Sequence, residues 1–113
     1  MEVTIWHNPA CSNSRGALQL IRDAGIEPVV IDYLGNPPDV ATLRQVLAES
    51  GLSAQDLVRS KEAQFAELGL DGAGETALLA AMAGHPRLIN RPVVRTPKGT
   101  RLCRPPETVL EIL

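Results

Sequence analysis

Cysteine is the strongest nucleophile among the common side chains, and Cys11 stands where a thiol ionises most easily. It follows an extended run, Glu2-Val-Thr-Ile-Trp6, and a turn cluster, His7-Asn-Pro-Ala10, and it precedes residues at helical spacing. A sulfur at that junction faces a helix N-terminus, whose unsatisfied N–H groups and dipole stabilise negative charge. A thiol so placed has a pKa of about 3.5–7.5 instead of about 8.5, and the thiolate is the reactive form. The same N–H groups can hold an anion beside it. Ser14 completes Cys-x-x-Ser, which adds one hydroxyl donor and no second thiol. The competing reading is a buried structural cysteine with a helix-capping serine; the Pro-Ala-Cys loop ahead of a strong helix favours chemistry. His7 can raise thiolate occupancy or orient the loop, although an isolated histidine also fits a plain packing role.

Cationic residues gather near the C-terminus: Arg95, Lys98, Arg101 and Arg104. Such clusters are commonly solvated surface, but guanidinium forks near a thiolate suit a tetrahedral oxyanion, whose oxygens they bind in pairs. Strand alternation would put Arg101 and Cys103 on one face, with Leu102 and Arg104 on the other. Arg59 is a further candidate. Cys103 fits a packed strand residue better than a resolving thiol, since a disulfide demands specific geometry. Cys11, Cys103, His7 and His85 offer no ligand pair at zinc-like spacing, so no metal is expected.

The elements that must position these groups follow from the hydrophobic pattern. Ala17, Leu18, Leu20 and Ile21 predict a helix over about 12–24, closed by Gly25. Residues 28–32 read as a second strand, so the opening is β-α-β, which favours parallel pairing with a right-handed crossover. Asp39 caps a predicted helix to about Ser50, Ser53 caps a short one, Lys61–Leu68 reads as helical, and Glu75–Ala83 is a strong helix former. Residues 88–95 and 101–104 make a predicted hairpin around a turn at 97–100, and Pro105-Pro106 starts a last helix through Leu113. The expected fold class is α/β: a thioredoxin-like β-α-β…β-β-α sandwich with a helical insertion at about 36–86, and a single domain over 1–113. In that architecture the strand after the helical region begins with a proline facing the active cysteine, often in the cis form. Pro92 takes that place, and Arg91 would then project toward Cys11. Without the fold, the pair reads simply as a turn proline and a surface arginine.

Composition narrows the function classes. The 113 residues are 44% hydrophobic and 21% charged, the range of an ordinary soluble domain. With aromatics at 3%, there is little on which to stack nucleic-acid bases. A net charge of −2 gives no drive toward nucleic acid or an anionic membrane. The N-terminal segment has no secretory pattern and no run is long enough to span a membrane, so a cytoplasmic location with reduced thiols is expected.

The segments His7–Arg15 (HNPACSNSR), Tyr33–Pro38 (YLGNPP), Glu67–Leu70 (ELGL), His85–Val94 (HPRLINRPVV) and Thr96–Pro105 (TPKGTRLCRP) together resemble the glutaredoxin-coupled arsenate reductases, in register over nearly the whole chain. The resemblance implies that Cys11 is the nucleophile, that His7 and Ser14 help to activate it, and that Arg59, Arg91 and Arg104 hold the arsenic oxyanion. It thereby selects Arg104 over Arg101. The chain departs from the family pattern at Ser12, where glycine is common, and at Ser60–Phe65. The phosphatase-like arsenate reductases are a different class: their Cys-x5-Arg loop would need an arginine where this chain has Ala17.

The resemblance further implies a monomer that carries no bound cofactor, takes arsenate as substrate and glutathione as co-substrate, and is served by glutaredoxin, with no nucleic-acid or membrane partner. Two other classes stay open on the same scaffold. One is a monothiol disulfide or deglutathionylating enzyme, which would leave the arginines without a purpose. The other is a non-catalytic redox-regulatory adaptor, whose relatives typically carry Cys-x-x-Cys where this chain has Ser14.

Overall fold

A computed structural model describes all 113 residues. The chain divides into two compact units, residues 1–36 with 91–113, and residues 37–90. The helical insertion is therefore bounded at 37 and 90, slightly later than the expected 36 and 86.

The first unit is built on a four-stranded mixed sheet of order β2-β1-β3-β4. Strand β1 (Thr4–Trp6) pairs in parallel with β2 (Val29–Ile31) and antiparallel with β3 (Val93–Thr96), which pairs antiparallel with β4 (Gly99–Leu102). The parallel pair needs a crossover, and helix α1 (Ser12–Asp23) provides it. Helix α1 ends as the sequence predicts: Ala24 caps it and Gly25 follows at φ 81, a conformation open to glycine. Ala17 and Ile21 from α1 join Val3, Ile5, Val94, Cys103, Val109 and Ile112 in one buried cluster.

The C-terminal segment corrects two expectations. The hairpin turn takes only Pro97 and Lys98, so Gly99 and Thr100 already belong to β4 and the strand ends at Leu102. Arg104 thus lies past the strand, and alternation does not govern its direction. The predicted last helix is a 3-10 segment, Pro106–Glu111, that stops short of Leu113. Its turns close by bonds such as Ile112 N–H to the Val109 carbonyl (3.1 Å). Val109 in the segment and Ile112 just after it are both buried in the core. Gly16 suits this close packing, because a Cβ there would sit 3.0 Å from Pro106 Cγ.

The second unit is helical. Its elements are α2 (Val40–Ser50), α3 (Ala54–Leu57), α4 (Ala63–Glu67), α5 (Glu75–Gly84) and a 3-10 turn at Pro86–Leu88. The expected caps are present. Asp39 accepts the Thr42 N–H (2.8 Å), and Ser53 forms a reciprocal capping box with Asp56. Helix α5 packs against α2 and α3 with Leu78, Leu79 and Met82 buried. Residues 88–92, expected to open a strand, instead contribute one isolated bridge, Val58 to Ile89.

Candidate active site

Cys11 is the N-cap of α1, with extended backbone (φ −96, ψ 123). The first turn of α1 contains no acidic residue, so nothing neutralises the helix's positive end. The loop before Cys11 is tied on every side. Asn8 takes the Ala10 N–H on its side chain and the Cys11 N–H on its carbonyl, both at 3.0 Å. Arg15 Nη1 donates to the Pro9 carbonyl at 2.8 Å.

Ser14 is fully buried, and its hydroxyl serves the loop. Oγ accepts the Asn8 N–H at 3.0 Å and shares a hydrogen bond of 2.6 Å with His7 Nδ1. Burial, with the Arg22 and Arg15 cations, lowers the His7 pKa, so the ring is neutral at pH 7.

The two arginines enter from the far end of the chain. The Arg91–Pro92 peptide is cis, as expected for a proline at this place, and Arg104–Pro105 is cis as well, which no residue pattern had indicated. Arg104 Nη1 donates to the Arg91 carbonyl at 3.0 Å and reaches Cys11 Sγ at 3.9 Å. Arg91 turns its guanidinium to the same sulfur. Cys11 is only 9% exposed, and desolvation pushes its pKa up. That effect is outweighed by the Ser14 N–H, the Arg91 guanidinium and the Asn13 N–H, so the pKa lies below the ordinary thiol value. The Ser14 contribution to the thiolate is therefore made by its backbone.

Five of the six residues singled out from the sequence, His7, Cys11, Ser14, Arg91 and Arg104, stand together in the first unit. Arg59 belongs to the helical unit, where its N–H bonds to the Leu88 carbonyl (2.6 Å) and its Nε lies 3.7 Å from Glu62 Oε2. Cys103 has no exposed surface, and burial pushes its thiol up to about 12. Asn8 and Arg15 were not singled out. Arg15 had a readable signal, since four residues after Cys11 it lies one helical turn on, over the loop. No three His, Cys, Asp or Glu side chains are grouped to hold a metal ion, and no helix is long and apolar enough to cross a membrane.

The arrangement is a sulfur of lowered pKa at a helix N-terminus with two guanidinium groups at its side, which can hold a tetrahedral oxyanion against it. Comparison with known proteins gives the same direction. The model of the ArsC family matches residues 6–112. The arsenate reductase of Rhizobium meliloti is 55% identical, covering 100% of this chain and 82% of that protein. The arsenate reductase of Escherichia coli K12 is 50% identical over 98% of this chain and 80% of its own length. Among solved structures, the arsenate reductase of Vibrio cholerae matches with a TM-score of 0.96 and 46% identity, covering 100% of this chain and 98% of that one.

Proposed function

Because the chain belongs to the ArsC family, we propose that it is an arsenate reductase whose Cys11 thiolate attacks arsenic. The observation that carries the reading is the convergence of the α1 N-terminus, Arg91 and Arg104 on one depressed-pKa sulfur. Simple disulfide exchange gains from a lowered thiol pKa, but it has no oxyanion for two guanidinium groups to hold.

The steps follow from the groups present. Arsenate is held by the first N–H groups of α1 and by Arg91 and Arg104. Cys11 forms an S–As bond, and one arsenate oxygen leaves as water. The fixed cations face charge that builds on the oxygens in this transition state, a contribution that needs no reorganisation. His7 and Ser14 keep the loop in the geometry that presents the sulfur.

Reduction comes next. A glutathione thiolate attacks the Cys11 sulfur, an S–S bond forms, and the S–As electron pair passes to arsenic, which leaves as arsenite. Cys103 is buried and protonated, so it does not resolve the resulting mixed disulfide. An outside thiol, from a glutaredoxin, takes the glutathionyl sulfur and returns the Cys11 thiolate. No bound cofactor enters. The two units act in this scheme as one domain over 1–113, a monomer working in the cytoplasm, where glutathione is abundant.

The test is turnover in a defined mixture of protein, arsenate, glutathione and glutaredoxin. Arsenite should form, and its formation should stop when glutathione is left out. Arg91→Ala should lose far more arsenate turnover than exchange with a small disulfide, which falls only as the thiol pKa rises; equal loss of both, or loss of neither, removes the oxyanion role.

A further inference from the structure

Arg15 stands outside the oxyanion site, yet it touches the loop that presents the nucleophile. The loop polar groups are divided between two consecutive residues of α1. Ser14 Oγ holds the Asn8 N–H at 3.0 Å, and Arg15 Nη1 holds the Pro9 carbonyl at 2.8 Å. The Arg15 N–H also makes the first helical bond of α1, to the Cys11 carbonyl at 3.0 Å, so the residue holds the carbonyls of Pro9 and Cys11. Pro9 has no N–H of its own, and Pro9 and Ala10 are exposed, so the Arg15 bond is what ties the outer bend of the loop to the helix.

We propose that Arg15 is a positioning residue of this enzyme: its guanidinium clamps the Pro9 carbonyl and so holds Cys11 at the N-cap, where the helix N–H groups support the thiolate. The proposal rests on Cys11 being the nucleophile. Arg15 has a second, electrostatic action in the same place. With Arg22 it is one of the two cations that, after burial, keep His7 neutral against Ser14. Losing the clamp lets the sulfur drift from the N–H groups of Asn13 and Ser14, which are short-range donors. The positive charge and the clamp are separable, because lysine keeps the charge but is one bond too short to place a donor where Arg15 Nη1 meets the Pro9 carbonyl.

The experiment follows Cys11 alkylation by iodoacetamide across pH, with His7 titrated by NMR, in wild type, Arg15→Met and Arg15→Lys. Arg15→Met should slow alkylation at neutral pH by about two- to tenfold, the worth of one hydrogen bond. It should also move the profile to higher pH and raise the His7 titration point. Arg15→Lys should restore the His7 titration and recover the Cys11 profile only in part. An Arg15→Met profile that superposes on wild type overturns the clamp, and so does full recovery of the Cys11 profile by lysine, which would leave charge alone as the cause. Should Arg15→Met melt far below wild type, the lysine variant still decides the matter. Alkylation needs no arsenate, so failure of arsenate turnover in wild type would bear on the enzymatic reading and leave the role of Arg15 to be decided by alkylation alone.

Discussion

Ser14 Oγ lies 2.6 Å from His7 Nδ1 and thereby binds the loop ahead of Cys11 to the helix behind it. The hydroxyl, fully buried, also takes the Asn8 N–H, so its work is to hold the loop, while its backbone N–H supports the thiolate. Ser14→Ala should therefore cost about 1–3 kcal/mol of stability, the penalty for orphaning a buried donor. It should also leave the Cys11 thiol more acidic than an ordinary one. Thermal unfolding together with a thiol titration checks both parts. A Ser14→Ala protein of unchanged stability and normal thiol acidity would reverse the assignment.

Arg91 and Arg104 are not equivalent. Both approach the sulfur, but the Arg91 guanidinium is the one that holds the Cys11 pKa down, and Arg104 divides its Nη1 between Cys11 and the Arg91 carbonyl. Arg91→Ala should raise the thiol pKa more than Arg104→Ala does. Each should lower kcat for arsenate by about 10²–10³-fold, the usual cost of one fixed transition-state donor. Thiol titration and steady-state kinetics on the two variants separate these effects.

The two titrations in the site act in the same direction on stability. Cys11 has a lowered pKa in the folded state, so its contribution is present at alkaline pH and is lost as pH falls through the folded value. His7 is a base with a lowered pKa, so the unfolded chain binds its proton more readily and acidification below the usual histidine range favours unfolding. Stability should rise with pH through both windows. His7→Gln should flatten the mildly acidic part of a stability profile measured by denaturant titration.

Cys103 should be inert in the native state. It has no exposed surface, its thiol is pushed up to about 12, and its S–H points to the Arg101 carbonyl at 3.7 Å. Of the two free cysteines, native protein should take one alkyl group and unfolded protein both, as read by mass.

Gly16 is the point where α1 meets the C-terminal segment that carries Arg104. A Cβ at 16 would stand 3.0 Å from Pro106 Cγ and 3.1 Å from its Cβ, tighter than ordinary contact. Gly16→Leu should destabilise by about 1–3 kcal/mol through overpacking. It should also weaken arsenate turnover by displacing Arg104, measurable as a loss of kcat/KM alongside a lower Tm.

The opening of the chain was legible because local rules and tertiary packing agree there. The β-branched run, the Asn-Pro turn, the helical spacing from Ala17 to Ile21 and Gly25 all point to a nucleophile at a helix N-terminus, and Cys11 is there. Asp39 and Ser53 were legible as caps for the same reason. The C-terminus was not, because its geometry is set by packing. Alternation fails at Arg104 since β4 ends at Leu102, and the run from Pro106 to Glu111, which reads as helix, closes with 3-10 bonds instead. Pairwise roles were also hidden. Nothing in Cys-x-x-Ser says that the serine hydroxyl turns toward His7, and nothing in a lone arginine says that Arg15 will reach the Pro9 carbonyl. The roles of Arg59, Arg91 and Arg104 came from the resemblance, since charge clusters alone read as surface.

The central claim is that Cys11 is the arsenic nucleophile, and the most direct measurement is arsenite release by wild type beside Cys11→Ser, with arsenate, glutathione and glutaredoxin supplied to both. Wild type should release arsenite continuously and Cys11→Ser should release none. Arsenite release that persists in Cys11→Ser, or a wild type that alkylates readily at neutral pH yet releases no arsenite, would contradict the account.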